Sequence, residues 1–330
     1  MKVAFYSAQP YDKSSFDEMN REKTYHFLFF DIDLNDQTVK LAEGCDAVCI
    51  FVNDHATATV LEKLAALNIK IVVLRCAGFN QVDLVAAEGL GIRVYRVPAY
   101  SPEAVAEHAI AMILTLNRKT HKAYNRVREG NFSLNRLMGF NLHGKKVGII
   151  GLGKIGLAFA KIMSGFGCEL LGYDPVPSSL PAYIIKASFE ELLSESDIIS
   201  LHCPLLPSTK HMINGQSLAL MKQGVMLINT SRGALIHTAD IISALKTGKV
   251  GQLGIDVYEQ EEKLFFKDLS EHIIDDDDML RLMTFPNVLI TSHQGFFTTE
   301  ALTEIASITL QNLQDAKSGV KTENALLFPN

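Results

Sequence analysis

Strand-like apolar runs alternating with helix-patterned segments constrain this chain more than any other feature. From Lys145 onward six runs follow one another, KVGIIG, CELLGYD, DIISLHCP, GVMLINTSR, GQLGIDVYE and NVLITSHQ, with helical patterns or turns between them. Strands joined in this way pair in parallel, with helices on both faces of the sheet, so the pattern predicts a six-stranded doubly wound domain. Up to about residue 100 the same alternation occurs on a smaller scale: VAFYS, CDAVCIFV, a helical stretch from Thr57 to Leu67, IKIVVLRCAG and IRVYRVP. A chain of 330 residues is long enough for two domains. The expected fold class is α/β, two doubly wound parallel-sheet (Rossmann-like) domains with an interdomain cleft.

Ser101-Pro102-Glu103 combines a capping residue, a first-turn proline and a first-turn acid, and helical spacing continues past Leu116. A long helix therefore starts at Ser101. After Thr298, EALTEIASITLQNLQDAKSG reads as one amphipathic helix ended by Gly319. Packed back on the first domain, it would make that domain discontinuous: residues 1–101 plus 299–330, around a second domain of 102–298.

Composition removes several function classes. The 37 acidic and 31 basic side chains leave a net charge of -6, without a basic run to neutralise phosphates, so nucleic acid is not the expected partner. The five cysteines are an odd, scattered set in apolar runs, which fits reduced thiols. MKVAFYSAQP lacks a secretory pattern and no apolar stretch reaches membrane-spanning length. The expected location is the cytoplasm, with no membrane partner. The acidic run Asp275 to Asp278 has no other ligand types placed around it, so it reads as a solvated loop and not a metal site.

Gly151-Leu152-Gly153-Lys154-Ile155-Gly156 follows the run VGII directly and opens the helical pattern AFAKIMSGFG. In that context the first two glycines allow a tight turn and close approach of a pyrophosphate, and the third lets helix pack on strand. The helix N-terminus adds unpaired N–H donors. The next run ends at Asp174, where a carboxylate would accept from the adenosine ribose hydroxyls and repel a 2′-phosphate. The expected cofactor is NAD.

Ligands of open parallel sheets sit beyond the carboxyl ends of the strands. The six runs end in Gly151, Asp174, His202 with Pro204, Arg232, Asp256 and His293. A guanidinium fork such as that of Arg232 can grip a carboxylate in two places, and a histidine such as His293 is the side-chain type suited to donate and accept a proton. A histidine acid needs a carboxylate partner. The loop DVYEQEEKLFF offers Glu259, Glu261 and Glu262, and spacing does not choose among them.

GLGKIG followed by Asp174, then NTSRGALI, DVYEQE and the histidine of SHQGF, resemble in order the motifs of the D-isomer-specific 2-hydroxyacid dehydrogenases, over nearly the whole chain. The resemblance implies that Arg232 binds the substrate carboxylate and carbonyl, that His293 is the acid and base, and that Glu261 orients it. It further implies substrate contacts from the backbone at Ala77 and Gly78, and from Tyr100 and Phe296. Thr230, Ser231, Asp256, His202 and Pro204 would line the cofactor. AYSPEAVAEH, RCAGFNQVDL and the long LFFKDLSEHIIDDDDMLRLM stretch resemble the branch that interconverts pyruvate and D-lactate. Glu262 and Ser292 stand where relatives often carry prolines. The expected partner is thus a small 2-keto or 2-hydroxy acid, and the expected assembly a homodimer or homotetramer. Glyoxylate or hydroxypyruvate as substrate, or a corepressor-like NAD sensor without turnover, are the alternatives.

Overall fold

Short, mostly apolar runs become the strands of a first sheet. β1 (Lys2–Phe5), α1 (Pro10–Met19), β2 (His26–Phe29), β3 (Ala47–Ile50), α2 (Ala58–Ala66), β4 (Ile71–Leu74), α3 (Leu84–Gly89) and β5 (Arg93–Tyr95) follow in chain order. The computed structural model describes residues 1–176 and 179–329. It divides into two units, Met1–Ser101 with the segment from Phe297 onward, and Pro102–Phe296.

The second unit begins with α4 (Pro102–Arg118) and α5 (Thr120–Arg128). There follow β6 (Lys146–Ile150), α6 (Lys154–Gly165), β7 (Glu169–Tyr173), β8 (Ile184–Lys186), α7 (Phe189–Glu195) and β9 (Ile198–Leu201). α8 (Gly215–Leu220), β10 (Val225–Asn229), α9 (Thr238–Lys246), β11 (Val250–Ile255), α10 (Asp277–Thr284) and β12 (Val288–Ile290) complete it. The sheet has seven strands in the order β12-β11-β10-β9-β6-β7-β8, all parallel. The sequence pattern leads to six. β8 is the addition, a three-residue edge strand whose Ile185 points to solvent at 56% exposure, too short and too wet to leave a hydrophobic signature. On one face Ala106, Ala109 and Ile113 of α4 pack with Phe159, Ala160 and Met163 of α6 over Val147 and Ile149. Burying this stripe is what holds α4 to the sheet.

The chain then returns to the first unit through α11 (Thr299–Ser318) and β13 (Ala325–Leu327). Thr298 caps α11 by accepting from the Ala301 amide, and Gly319 ends it at φ +67. Its Ala306, Leu313 and Ala316 enter a core with Phe5, Phe16 and Tyr95. The first sheet runs β13-β5-β4-β3-β1-β2, parallel except for β13 against β5. β2 and β13 were not among the expected strands; their residues are mostly half-buried, as edge positions are, so the pattern is blunted. No helix among the described residues is long and apolar enough to cross a membrane. All five cysteines are free.

The acidic run corrects one expectation. Asp276 is not part of a solvated loop: it caps α10 through the Met279 amide at 2.8 Å and accepts from the Tyr258 hydroxyl at 2.9 Å. Among the described residues no group of acids, histidines or cysteines could hold a metal ion.

Candidate active site

The glycine turn between β6 and α6 is closed by contacts that exclude side chains. Gly151 has φ +94, and a Cβ there would lie 2.6 Å from the backbone at His202 and Cys203. A Cβ on Gly156 would lie 2.0 Å from the Gly151 carbonyl oxygen. Gly153 differs: it is the N-cap of α6, no side chain caps the helix there, and its Cβ direction is open. The first amides of a twelve-residue helix, including those of Lys154 and Ile155, thus start without a side-chain cap from the N-cap residue and with the helix dipole behind them. That is the donor set a pyrophosphate requires. Replacing Gly156 with Ala should weaken NADH binding by about tenfold or more, from the ~1–3 kcal/mol cost of overpacking; fluorescence titration reads it, and unchanged affinity would separate this turn from the cofactor.

Asp174, just after β7, accepts from the Leu152 amide at 2.8 Å and the Val176 amide at 2.9 Å. It braces the glycine turn, and its remaining lone pairs can still accept from ribose hydroxyls. Two more residues expected to line the cofactor carry buried polar atoms without a hydrogen-bond partner among the described residues, His202 Nδ1 and Thr230 Oγ1. Burial pushes the His202 imidazole down to about 3, so it is neutral at any working pH. Its Nε2 meets Ser200 Oγ and its ring leans on Phe159. Ser231 donates from Oγ to the Cys203 carbonyl and so ties the turn after β10 to the turn after β9, while Pro204 is exposed. Glycines that a side chain would obstruct, bare helix amides and unpaired buried polar atoms together fit a dinucleotide.

The reacting trio lies on three neighbouring strand ends of the same parallel sheet. Arg232 follows β10, Glu261 follows β11 and His293 follows β12. The Arg232 guanidinium is half-buried and donates to the Ser231 carbonyl at 2.7 Å. No carboxylate pairs with it among the described residues, so a cation is left to a ligand. Gly233 seats its turn against the next loop, since a Cβ there would lie 2.0 Å from the Tyr258 carbonyl carbon.

Among the three candidate acids, Glu261 is the one that meets the histidine, with Oε1 2.9 Å from His293 Nδ1 and Oε2 accepting from the Tyr258 amide. Glu259 is held elsewhere, by His211 Nε2 at 2.5 Å and by Thr238, and the Thr238 and His211 bonds keep its carboxyl below the usual range against the opposing effect of burial. A carboxylate can only accept, so His293 Nδ1 carries the proton and Nε2 is the nitrogen that exchanges one. His293 itself sits at φ +54.

Asp256 is buried, and its carboxylate accepts from Thr291 Oγ1 and from the Gln294 and Gly295 amides. Burial alone would raise its pKa, yet bonds from His108 and Thr291 leave it lowered and ionised. Phe296 is buried at the end of this unit. The remaining expected residues belong to the other unit. Ala77 and Gly78 follow β4, with the Ala77 carbonyl accepting from Arg96 and the Gly78 carbonyl from the Cys76 thiol. Tyr100 is half-buried just before α4.

Sequence reasoning gave His108 no role, and took Arg75 only as the start of the loop that runs through Ala77 and Gly78. Arg75 is fully buried between the rings of Phe5 and Phe51 and paired with Asp12 at 3.3 Å, two residues ahead of Ala77. An arginine at the end of an apolar strand run could have drawn notice. His108 lay in AVAEH without an assigned partner, because its contacts come from residues far along the chain.

Residues 110–295 match the family described as D-isomer specific 2-hydroxyacid dehydrogenase, NAD binding domain. A 2-hydroxyacid dehydrogenase homolog of Haemophilus influenzae is 53% identical over 99% of both chains. The D-lactate dehydrogenase of Escherichia coli is 52% identical over 99% of this chain and 100% of its own. The apo structure of the Escherichia coli D-lactate dehydrogenase superposes with a TM-score of 0.89, covering 99% and 100% of the two chains at 49% identity.

Proposed function

This chain belongs to the D-isomer specific 2-hydroxyacid dehydrogenase family, and from that membership and its site we propose that it reduces pyruvate to D-lactate with NADH. The observation that carries the reading is the His293–Glu261 pair on strand ends neighbouring the one that carries Arg232, whose guanidinium meets no carboxylate among the described residues. A 2-keto acid brings the missing carboxylate together with a carbonyl that needs a proton.

Gly151, Gly153, Lys154, Ile155 and Gly156 would hold the pyrophosphate of NAD and Asp174 its ribose, with His202, Pro204, Thr230, Ser231 and Asp256 lining the remainder. When bound, NADH supplies the hydride that reduces C2. Arg232 binds the pyruvate carboxylate through its fork and polarises the carbonyl. His293, charged and held by Glu261, gives its Nε2 proton to the carbonyl oxygen, and takes it back in the reverse direction. Ala77 and Gly78 are assigned further carboxylate contacts through their backbone, and Tyr100 and Phe296 contacts to the small substrate. In this reading residues 1–101 with 299–330 serve the substrate and residues 102–298 the cofactor.

The test is a panel of 2-keto acids, followed by loss of NADH absorbance and by the chirality of the product. Pyruvate should be turned over best and give the D isomer. Preference for glyoxylate or hydroxypyruvate would move the substrate, and NADH binding without turnover would replace the enzyme by a sensor. Exchanging Glu261 for Gln should move the alkaline limb of pyruvate reduction to lower pH, because an amide does not stabilise the imidazolium as a carboxylate does. An unchanged profile would remove Glu261 from its role.

The assembly proposed is a homodimer or homotetramer. Phe132, Leu134 and Met138, on the segment after α5, are 75%, 82% and 86% exposed, an apolar display that suits burial against a second copy. Analytical ultracentrifugation should return at least twice the chain mass. Five free thiols fit a reducing compartment, and the location proposed is the cytoplasm.

A further inference from the structure

His108 projects from α4 onto the turn that carries His293. Its Nε2 lies 3.1 Å from Thr291 Oγ1 and 3.3 Å from Asp256 Oδ1. The Thr291 hydroxyl has one proton, and it is directed to Asp256 Oδ1 at 2.6 Å. The histidine nitrogen facing that hydroxyl must therefore be a donor, so His108 carries its proton on Nε2.

Asp256 in turn gathers the backbone of the turn. Its carbonyl accepts from the His293 amide at 2.7 Å, and its carboxylate from the Gln294 amide at 2.9 Å and the Gly295 amide at 2.8 Å. Three successive amides thus end on one buried residue. His293, first of the three, has φ +54, a left-handed conformation that is unfavourable for a non-glycine residue and persists only where the surroundings impose it. There is little slack behind it: a Cβ on Gly295 would lie 3.0 Å from Asp256 Oδ2 and 3.6 Å from His108 Cδ2.

We infer that His108 is a positioning residue for His293, acting through Thr291 and Asp256 to hold the turn 291–295 in the shape that presents the imidazole to Glu261. The inference rests on the assignment of His293 as acid and base. His108 supplies a donor that keeps the Thr291 hydroxyl committed to Asp256 and the Asp256 carboxylate aimed at the turn. Removing that donor frees the Thr291 hydroxyl to rotate and withdraws one of the groups that aim the Asp256 carboxylate, which lets His293 relax towards ordinary backbone angles.

The test separates rate from binding. H108A should lower kcat for pyruvate reduction by about ten- to a hundredfold, the scale of a small misplacement of a reacting group, with the KM for pyruvate and the NADH dissociation constant unchanged. H108Q, whose amide can donate from nearly the same place, should recover most of the rate. T291V should reproduce the loss, and the H108A/T291V double variant should be no slower than either single one, because both break the same linkage. Wild-type kcat in H108A, a loss confined to KM, or effects that multiply in the double variant would each overturn the inference. Should H108A fail to bind NADH, H108Q and T291V decide: full kcat in T291V overturns the inference, and reduced kcat in T291V with near-normal kcat in H108Q supports it. H293N measured in parallel keeps the two readings apart: an active H293N defeats the acid and base assignment, whereas an inactive H293N beside a normal H108A defeats only the role of His108.

Discussion

Replacing His293 with asparagine is expected to lower kcat for pyruvate reduction by about 10²- to 10⁴-fold, the usual share of a general acid, while NADH affinity stays unchanged. Asparagine is the informative choice. It tolerates the left-handed φ of +54 found at this position, and its amide can still donate to Glu261, but it cannot deliver a proton at working pH. The loss then reports proton transfer alone and not a collapsed turn. Steady-state rates across pH, with NADH binding measured separately, decide the matter. A variant that keeps its rate and its pH dependence would take His293 out of the chemistry.

The second large effect is expected at Arg232. Exchange for lysine keeps the charge but removes the fork, and one ammonium cannot hold a carboxylate and a carbonyl at once. The cost in transition-state binding should be roughly 3 to 5 kcal/mol, as for breaking a buried charged pair, or about 10²- to 10⁴-fold in kcat/KM. The thermal midpoint should hardly change, because among the described residues the guanidinium bonds only the Ser231 carbonyl next to it. Near-normal catalytic efficiency would remove Arg232 from the site, and a large fall in stability would recast it as structural.

The parts of the site that sequence made legible are those set by local backbone geometry. GLGKIG had to be a turn between strand and helix, and a Cβ on Gly156 would indeed lie 2.0 Å from the Gly151 carbonyl oxygen. Arg232, Asp256 and His293 stood out because parallel sheets place ligands at strand ends. Edge strands escaped for the opposite reason. β8 and β13 span three residues each and are partly wet, so burial imposed little pattern on them.

Sequence by itself determined the two α/β units, the cofactor turn and the three strand ends that carry the chemistry, since each follows from periodicity within a few residues. Only the tertiary structure decided which partners those residues find. Glu261 and not Glu259 reaches His293, because β12 and β10 flank β11 and His211 draws Glu259 away. His108 bonds Thr291, 183 residues along the chain. Such pairings depend on which strands and helices become neighbours, and a hydrogen bond between distant residues leaves no spacing in the sequence to read.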